Sequence, residues 1–233
     1  MLTPTGTGIT ESSEPEDFTA FTEGWMRRFA DAATATEAEL TALDQQVGDG
    51  DFGANLVAGL QATVRRLDLP VGPPAPARSL EAAASAFLDE VGGTSGPLFG
   101  LLLQEIATAV AAARDGAPAT ALAAGTGNGL AAIQRVGEAA VGDKTLVDAL
   151  APASSRLDAQ ARAVPGDAGA ALACAASAAW GGVRRTARLT ARRGRASYLG
   201  DRAAGVPDPG AVGIALLFSA ATSSVTSLRS HLN

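Results

Sequence analysis

The sequence predicts an all-α protein of about eight helices, and three observations point there. Alanine dominates the composition, and 47% of the 233 residues are hydrophobic while only 4% are aromatic. Alanine is the best helix former, whereas β-branched residues, the usual strand formers, are comparatively sparse. No segment alternates polar and apolar residues as a half-buried strand does, and no repeat is evident. Small side chains also let helices approach closely. The length suits a sizeable core, and nothing divides the chain into balanced halves, so one domain over residues 16–233 is expected behind a disordered tail at 1–15.

The elements follow in order. The tail MLTPTGTGITESSEP is rich in Thr, Ser, Gly and Pro. Asp17 is a plausible N-cap for FTAFTEGWMRRFADAAT, which spaces Phe18, Phe21, Trp25 and Phe29 along one helical face. EAELTALDQQV reads as a second helix that carries Asp44 near its C-terminal end, and ANLVAGLQATVRRL as a third. LDLPVGPPAPARS, with four prolines, is a connector. SLEAAASAFLDEVGG ends in a glycine pair suited to a left-handed C-terminal turn. PLFGLLLQEIATAVAAARDG, ATALAAGTGNGLAAIQRVG, LVDALAPASSRLDAQARA and GDAGAALACAASAAWGGVRRTARLTARR continue the helical series. The Gly-rich GRASYLGDRAAGVPDPGA is a loop, and VGIALLFSAATSSVTSLRSHL closes the chain.

The formal net charge of −6 argues against general affinity for nucleic acid or anionic membranes. Cys174, the sole cysteine, excludes an internal disulfide and reads as a buried core thiol. His231, the sole histidine, stands near the C-terminal end and is a poor candidate for a catalytic base. No apolar run is taken as a transmembrane segment, the acidic N-terminus does not resemble a signal peptide, and the cytoplasm is the expected compartment.

Chemistry-bearing residues gather in the links between helices. VGDGDFGAN places Asp49 and Asp51 one glycine apart, with Asp44 one turn upstream. Short carboxylates are hard oxygen donors that suit Mg²⁺, and Gly48 and Gly50 let the backbone aim all three at one centre. A calcium loop does not fit, because twelve-residue windows from Asp44 or Asp49 end at Asn55 or Leu60 and not at a glutamate. On these residues alone, a solvated acidic loop and a metal site both stand. GGTSGPLFG, residues 92–100, precedes a helix and could bind an anion or simply cap it. GDKTLVDAL, residues 142–150, comes one residue short of a P-loop but follows no strand; it reads as a charged helix start with Asp143 or Thr145 near the N-cap. Arg192, Arg193 and Arg195 could grip phosphate or form a solvated basic loop, and DPG is a turn into the last helix. GTGNG lies in Ala-rich helix without a βαβ unit and is assigned to structure. Should alternate links of an up-and-down barrel meet at one end, these clusters would converge into what a Mg²⁺–nucleotide needs.

The segments LDQQVGDGDFGAN, GGTSGPLFG, GDKTLVDALAP and GRASYLGDR followed by DPGA resemble, in order, the nucleotide-binding L subunit or domain of dihydroxyacetone kinase. The resemblance covers roughly residues 18–232. It implies an eight-helix antiparallel barrel that holds ADP or ATP with two Mg²⁺ ions at one end. It further implies Asp44, Asp49 and Asp51 as metal ligands, and Phe52, Gly53, Ala54 and Asn55 with Thr94 and Ser95 along the phosphates. Gly137 and Leu146 would border the nucleotide, and Arg195 with the turn Asp208, Pro209 and Gly210 would complete the pocket. In this family the ketone is held by a histidine of a separate K subunit or domain, so no catalytic residue is assigned to this chain. A phosphocarrier M subunit and a homodimer are further partners the resemblance admits.

One departure stands out. The family usually reads G-D-x-D-H-G, and this chain has Phe52 at the histidine position. A phenyl ring donates no hydrogen bond, and losing one donor to a buried phosphate costs about 1–3 kcal/mol. Thr94, where relatives often carry alanine, keeps the loop's character. Phe52 motivates two alternatives to a dihydroxyacetone kinase subunit: a paralogue acting on another ketose, and a non-catalytic sensor of nucleotide or partner.

Overall fold

The computed structural model describes residues 18–70, 72–113, 117–194, 196–198 and 203–232. The predicted tail, Asp17 and Arg195 lie outside the described residues. Among the described residues there are helices and no strands. In order they are α1 (Phe18–Val47), α2 (Phe52–Leu67), α3 (Arg78–Glu90), α4 (Ser95–Ala112), α5 (Pro118–Gly137), α6 (Val147–Ala163), α7 (Ala168–Thr186), α8 (Pro209–Ser219) and the single turn α9 (Arg229–Leu232). Each of the first seven packs on the next, and α8 returns to α1, which closes an up-and-down ring.

Two helices expected at the N-terminal side are one 30-residue helix, α1. The ATATEA stretch between them carries no Gly or Pro. Its hydroxyls bond back along the helix, Thr34 Oγ1 to the Ala30 carbonyl at 2.9 Å and Thr36 Oγ1 to the Ala32 carbonyl at 2.7 Å. The stretch expected to run helical to Arg193 stops at Thr186, and the closing segment breaks after Ser219. Cys174 is half-buried and not a core thiol, because it falls beside the α7 face that carries Ala171, Leu172, Ala175 and Ala179 into the interior.

Trp25, Phe29, Phe87, Phe99 and Phe218 fill the interior. Helix α8 is apolar on every side and buried from Ala211 to Ser219, wedged among α1, α2, α6 and α7. Its register is fixed by polar bonds from its neighbours. The Trp25 indole donates to the Leu217 carbonyl at 2.6 Å, and the Trp180 indole to Ser219 Oγ at 2.9 Å. The Arg28 guanidinium donates to the Ala220 and Ala221 carbonyls, satisfying acceptors that a helix C-terminus leaves open. GTGNG is structural, as expected: a Cβ on Gly125 or Gly129 would strike Ile106 or Leu102 of α4. Helix α4 is long and apolar enough, by length and composition, to span a membrane, contrary to the expectation that no run would qualify; here it packs between α3 and α5.

The links after α1, α3, α5 and α7 carry the four clusters. In an antiparallel ring, links after odd-numbered helices emerge at the same end, so the topology alone brings the clusters together.

Candidate functional site

A cleft of about 280 Å³ opens at that end, lined from all four links. Its acidic wall starts at Asp44, which is buried in the last turn of α1, while Asp49 and Asp51 are exposed on the link. One carboxylate oxygen from each of the three lies within 4.8 Å of the others. Gly50 turns the chain there with φ +80°, and the Asp44 carbonyl accepts from the Gly48 N–H at 2.5 Å. Asp44 Oδ2 also accepts from the Phe52 N–H at 3.1 Å, so the ligand-bearing turn of α1 is tied to the start of α2. Like charges this close favour a bound cation, and the hard oxygen set fits Mg²⁺.

The N-terminal turn of α2 adjoins the carboxylates, and that of α4 lines the same cleft. Their N-caps, Asp51 and Thr94, make no side-chain cap bond. First-turn amides have no intrahelical acceptor, and with the helix dipole they favour an anion. Thr94 and Ser95 line the cleft, and Gly93, at φ +73°, lets the link turn into α4. The far wall is Gly137, Leu146 and the turn Asp208, Pro209 and Gly210, with Ile133, Leu98 and Val147 adding apolar surface. A Cβ on Gly210 would sit 3.3 Å from Leu146 Cβ, so the α6 and α8 N-termini abut. Arg193 also lines the cleft and pairs with Glu138 at 3.4 Å.

Three residues expected along the phosphates do not line the cleft. Gly53 is pressed against α1, where a Cβ would meet Thr41 Oγ1 at 2.6 Å and the Glu37 carbonyl at 2.7 Å. Ala54 is exposed and Asn55 half-buried further along α2. Phe52 forms part of the floor, yet its ring belongs to the core. It is 6% exposed, 6.3 Å from the Phe99 ring centroid, and seated in the notch left by Gly213. Thr145 stands beside the α6 N-cap, Leu146, as expected, and its Oγ1 accepts from the Val147 N–H at 3.2 Å; the loop is held by Asp148, whose carboxylate accepts from the Gly142 N–H at 2.6 Å and the Thr145 N–H at 2.9 Å.

Sequence reasoning missed Lys144. Its side chain is 1% exposed and lines the cleft, and its ammonium donates to the Thr186 carbonyl at 2.7 Å and the Val206 carbonyl at 2.6 Å. A lysine inside GDKT reads as a solvated charge, and no local signal announces its burial. Burial lowers its pKa, with Asp208 and Asp148 opposing. Asp208 is pushed up to about 7, chiefly by burial; the Ala211 N–H and Lys144 act against the rise, and Asp148 and Asp44 add to it.

A family model for the DAK2 domain matches residues 46–223. L-erythrulose 1-kinase of Mycolicibacterium smegmatis is 39% identical over 196 residues, which is 84% of this chain and 34% of that protein. The ADP-binding subunit DhaL of the PEP-dependent dihydroxyacetone kinase of Escherichia coli is 34% identical over 197 residues, 82% of this chain and 89% of that subunit. The dihydroxyacetone kinase of C. freundii, solved in complex with AMP-PNP and Mg²⁺, superposes with a TM-score of 0.62 at 26% identity, covering 94% of this chain and 36% of that one. The chain thus spans roughly a third of the length of L-erythrulose 1-kinase and of the rat triokinase/FMN cyclase it also matches, but most of the DhaL subunit. With a helical ring of the same kind and a domain match over most of its length, the chain belongs to the DAK2-domain family.

Proposed function

We propose that this chain is the nucleotide-binding component of a ketose kinase. It holds ADP or ATP with two Mg²⁺ ions in the cleft and presents the phosphoryl group to a ketose bound on a separate K subunit. The observation that carries this reading is the meeting of three carboxylates with the N-terminal turns of α2 and α4 in one cleft. Asp44, Asp49 and Asp51 would hold the cations, whose chemistry is to draw charge off the phosphate oxygens. The first-turn amides of α2 and α4 would orient the phosphates, and the Gly137, Leu146 and Asp208–Gly210 wall would take the base and sugar. Transfer needs a hydroxyl acceptor and a group to receive its proton. We assign that group to the partner; within this chain the one histidine, His231, stacks on Trp180 at 4.3 Å and does not line the cleft.

The relatives support both a free-standing subunit, as in the E. coli protein, and a domain of a longer kinase. Dihydroxyacetone is the first acceptor to test. The L-erythrulose 1-kinase of M. smegmatis and its D-erythrulose kinase at 37% identity favour a four-carbon ketose as a second reading. A non-catalytic sensor is the reading that absence of turnover would leave.

The test is calorimetric titration of ADP with Mg²⁺ into the wild-type chain and Asp49→Ala. The wild type is expected to bind and the variant to lose measurable affinity while keeping its helical circular dichroism. Equal affinity in both removes the acidic loop from the site. Turnover of dihydroxyacetone against erythrulose with a cognate K subunit then decides the acceptor, and ATP against a phosphoenolpyruvate-fed carrier decides the donor.

A further inference from the structure

Lys144 carries an unusual set of constraints for a lysine. It is buried in a left-handed conformation at φ +62°, which L side chains rarely adopt and which persists only where surroundings over-determine it. Asp148 holds the turn beneath it through the Gly142 and Thr145 amides. Above, the ammonium grips two carbonyls on different segments: Thr186, the last residue of α7, and Val206, in the chain entering α8. The same Thr186 accepts the Asp208 N–H on its hydroxyl at 2.8 Å, and Asp208 caps α8 by accepting the Ala211 N–H at 2.7 Å. One relay therefore runs from the α6 N-terminal loop through Lys144 and Thr186 to the turn that walls the cleft.

Packing alone does not require this arrangement. An apolar residue would fill the volume without burying a charge, and burying an ammonium is costly unless its donors are matched. The two carbonyls are open acceptors, one at a helix C-terminus and one in a loop, which only a multivalent donor could draw together. We propose that Lys144 is a positioning residue of the cleft, clamping the chain that enters α8 onto the end of α7 and so setting where Asp208, Pro209 and Gly210 meet the nucleotide. This inference rests on the nucleotide reading above.

The experiment compares the intact wild-type chain with Lys144→Met and Thr186→Val, measuring affinity for ADP with Mg²⁺ by calorimetry and amide exchange along the chain. Lys144→Met is expected to weaken binding about tenfold or more, equivalent to about 1.4 kcal/mol. The Gly205 and Asp208 amides should exchange faster while α4 keeps its protection. Thr186→Val, which removes the hydroxyl that holds the Asp208 N–H but keeps the Lys144 clamp, tests the next link of the relay and should weaken binding in the same direction. If Lys144→Met does not fold, Lys144→Arg, which keeps the charge but changes the reach of the donors, decides the matter by the same two readouts. Affinity within twofold of wild type in the folded variants overturns the proposal, even if their melting temperatures fall. A wild-type chain that binds no nucleotide instead overturns the reading on which it rests.

Discussion

Phe52 shows at the residue scale how one residue can line the cleft and belong to the core. The motif placed it beside the phosphates; packing places its ring between Phe99 and Gly213, and only its backbone N–H serves the acidic loop, through Asp44. The reason is not local: the slot exists because Gly213 on α8, far away in sequence, lacks a side chain. Phe52→His is expected to cost about 1–3 kcal/mol by leaving imidazole nitrogens in an apolar slot, read as a lower urea midpoint. Gly213→Ala should also destabilise, since its Cβ would lie 2.8 Å from both phenyl rings. Asp208 supplies a pH dependence. Its folded pKa of about 7 lies above the ordinary aspartate value of 3.8, so between these values the folded chain keeps a proton that the unfolded chain has lost. Its contribution is thus increasingly unfavourable as pH rises from 4 to 7 and constant above. Asp208→Asn keeps a capping oxygen and should be relatively more stable at pH 8 than at pH 5, compared with wild type by chemical denaturation. A parallel difference at the two pH values would contradict this.

Helix existence was legible in the sequence at the element scale, and helix ends were not. Alanine content and the spacing of Phe21, Trp25 and Phe29 announce α1, yet its continuity through ATATEA depends on hydroxyls that satisfy themselves on the preceding turn. Helix α8 reads as apolar, but its complete burial follows from closure of the ring. Trp25→Phe should leave the Leu217 carbonyl without its indole donor and cost about 1–3 kcal/mol, a fall of roughly 2–4 °C in Tm per kcal/mol. The end of the chain is a weaker attachment. His231 stacks on Trp180 while Arg184 donates to its carbonyl at 3.0 Å. Burial first, and the Arg184 charge second, lower the imidazole pKa below 6.5. The docked α9 is therefore stabilised above pH 6.5 and loses that stabilisation as pH falls through the lowered value. Trp180 fluorescence should change with a midpoint below 6.5, and His231→Gln should abolish the transition.

The whole molecule explains why four ambiguous links become one site. Each cluster alone had an ordinary structural reading, and GTGNG, inside α5, has proved to be structural. What distinguishes the others is parity: the links after α1, α3, α5 and α7 share one end of an antiparallel ring. Motif order carried the family and, through it, most of the cleft wall, including Leu146 and Asp208. The Lys144 clamp escaped because its partners, Thr186 and Val206, are backbone carbonyls 42 and 62 residues away, and carbonyls leave no trace in a sequence. The central claim is that the three aspartates hold divalent metal only as part of a nucleotide site. Mn²⁺ is a suitable oxygen-seeking probe for that claim. Electron paramagnetic resonance of Mn²⁺ titrated into the chain with and without ADP tests it most directly. The account predicts tight uptake of about two ions per chain when ADP is present, in keeping with metal held by carboxylates and phosphates together, and its loss in Asp49→Ala. Uptake that ignores ADP, or that survives Asp49→Ala, would contradict it.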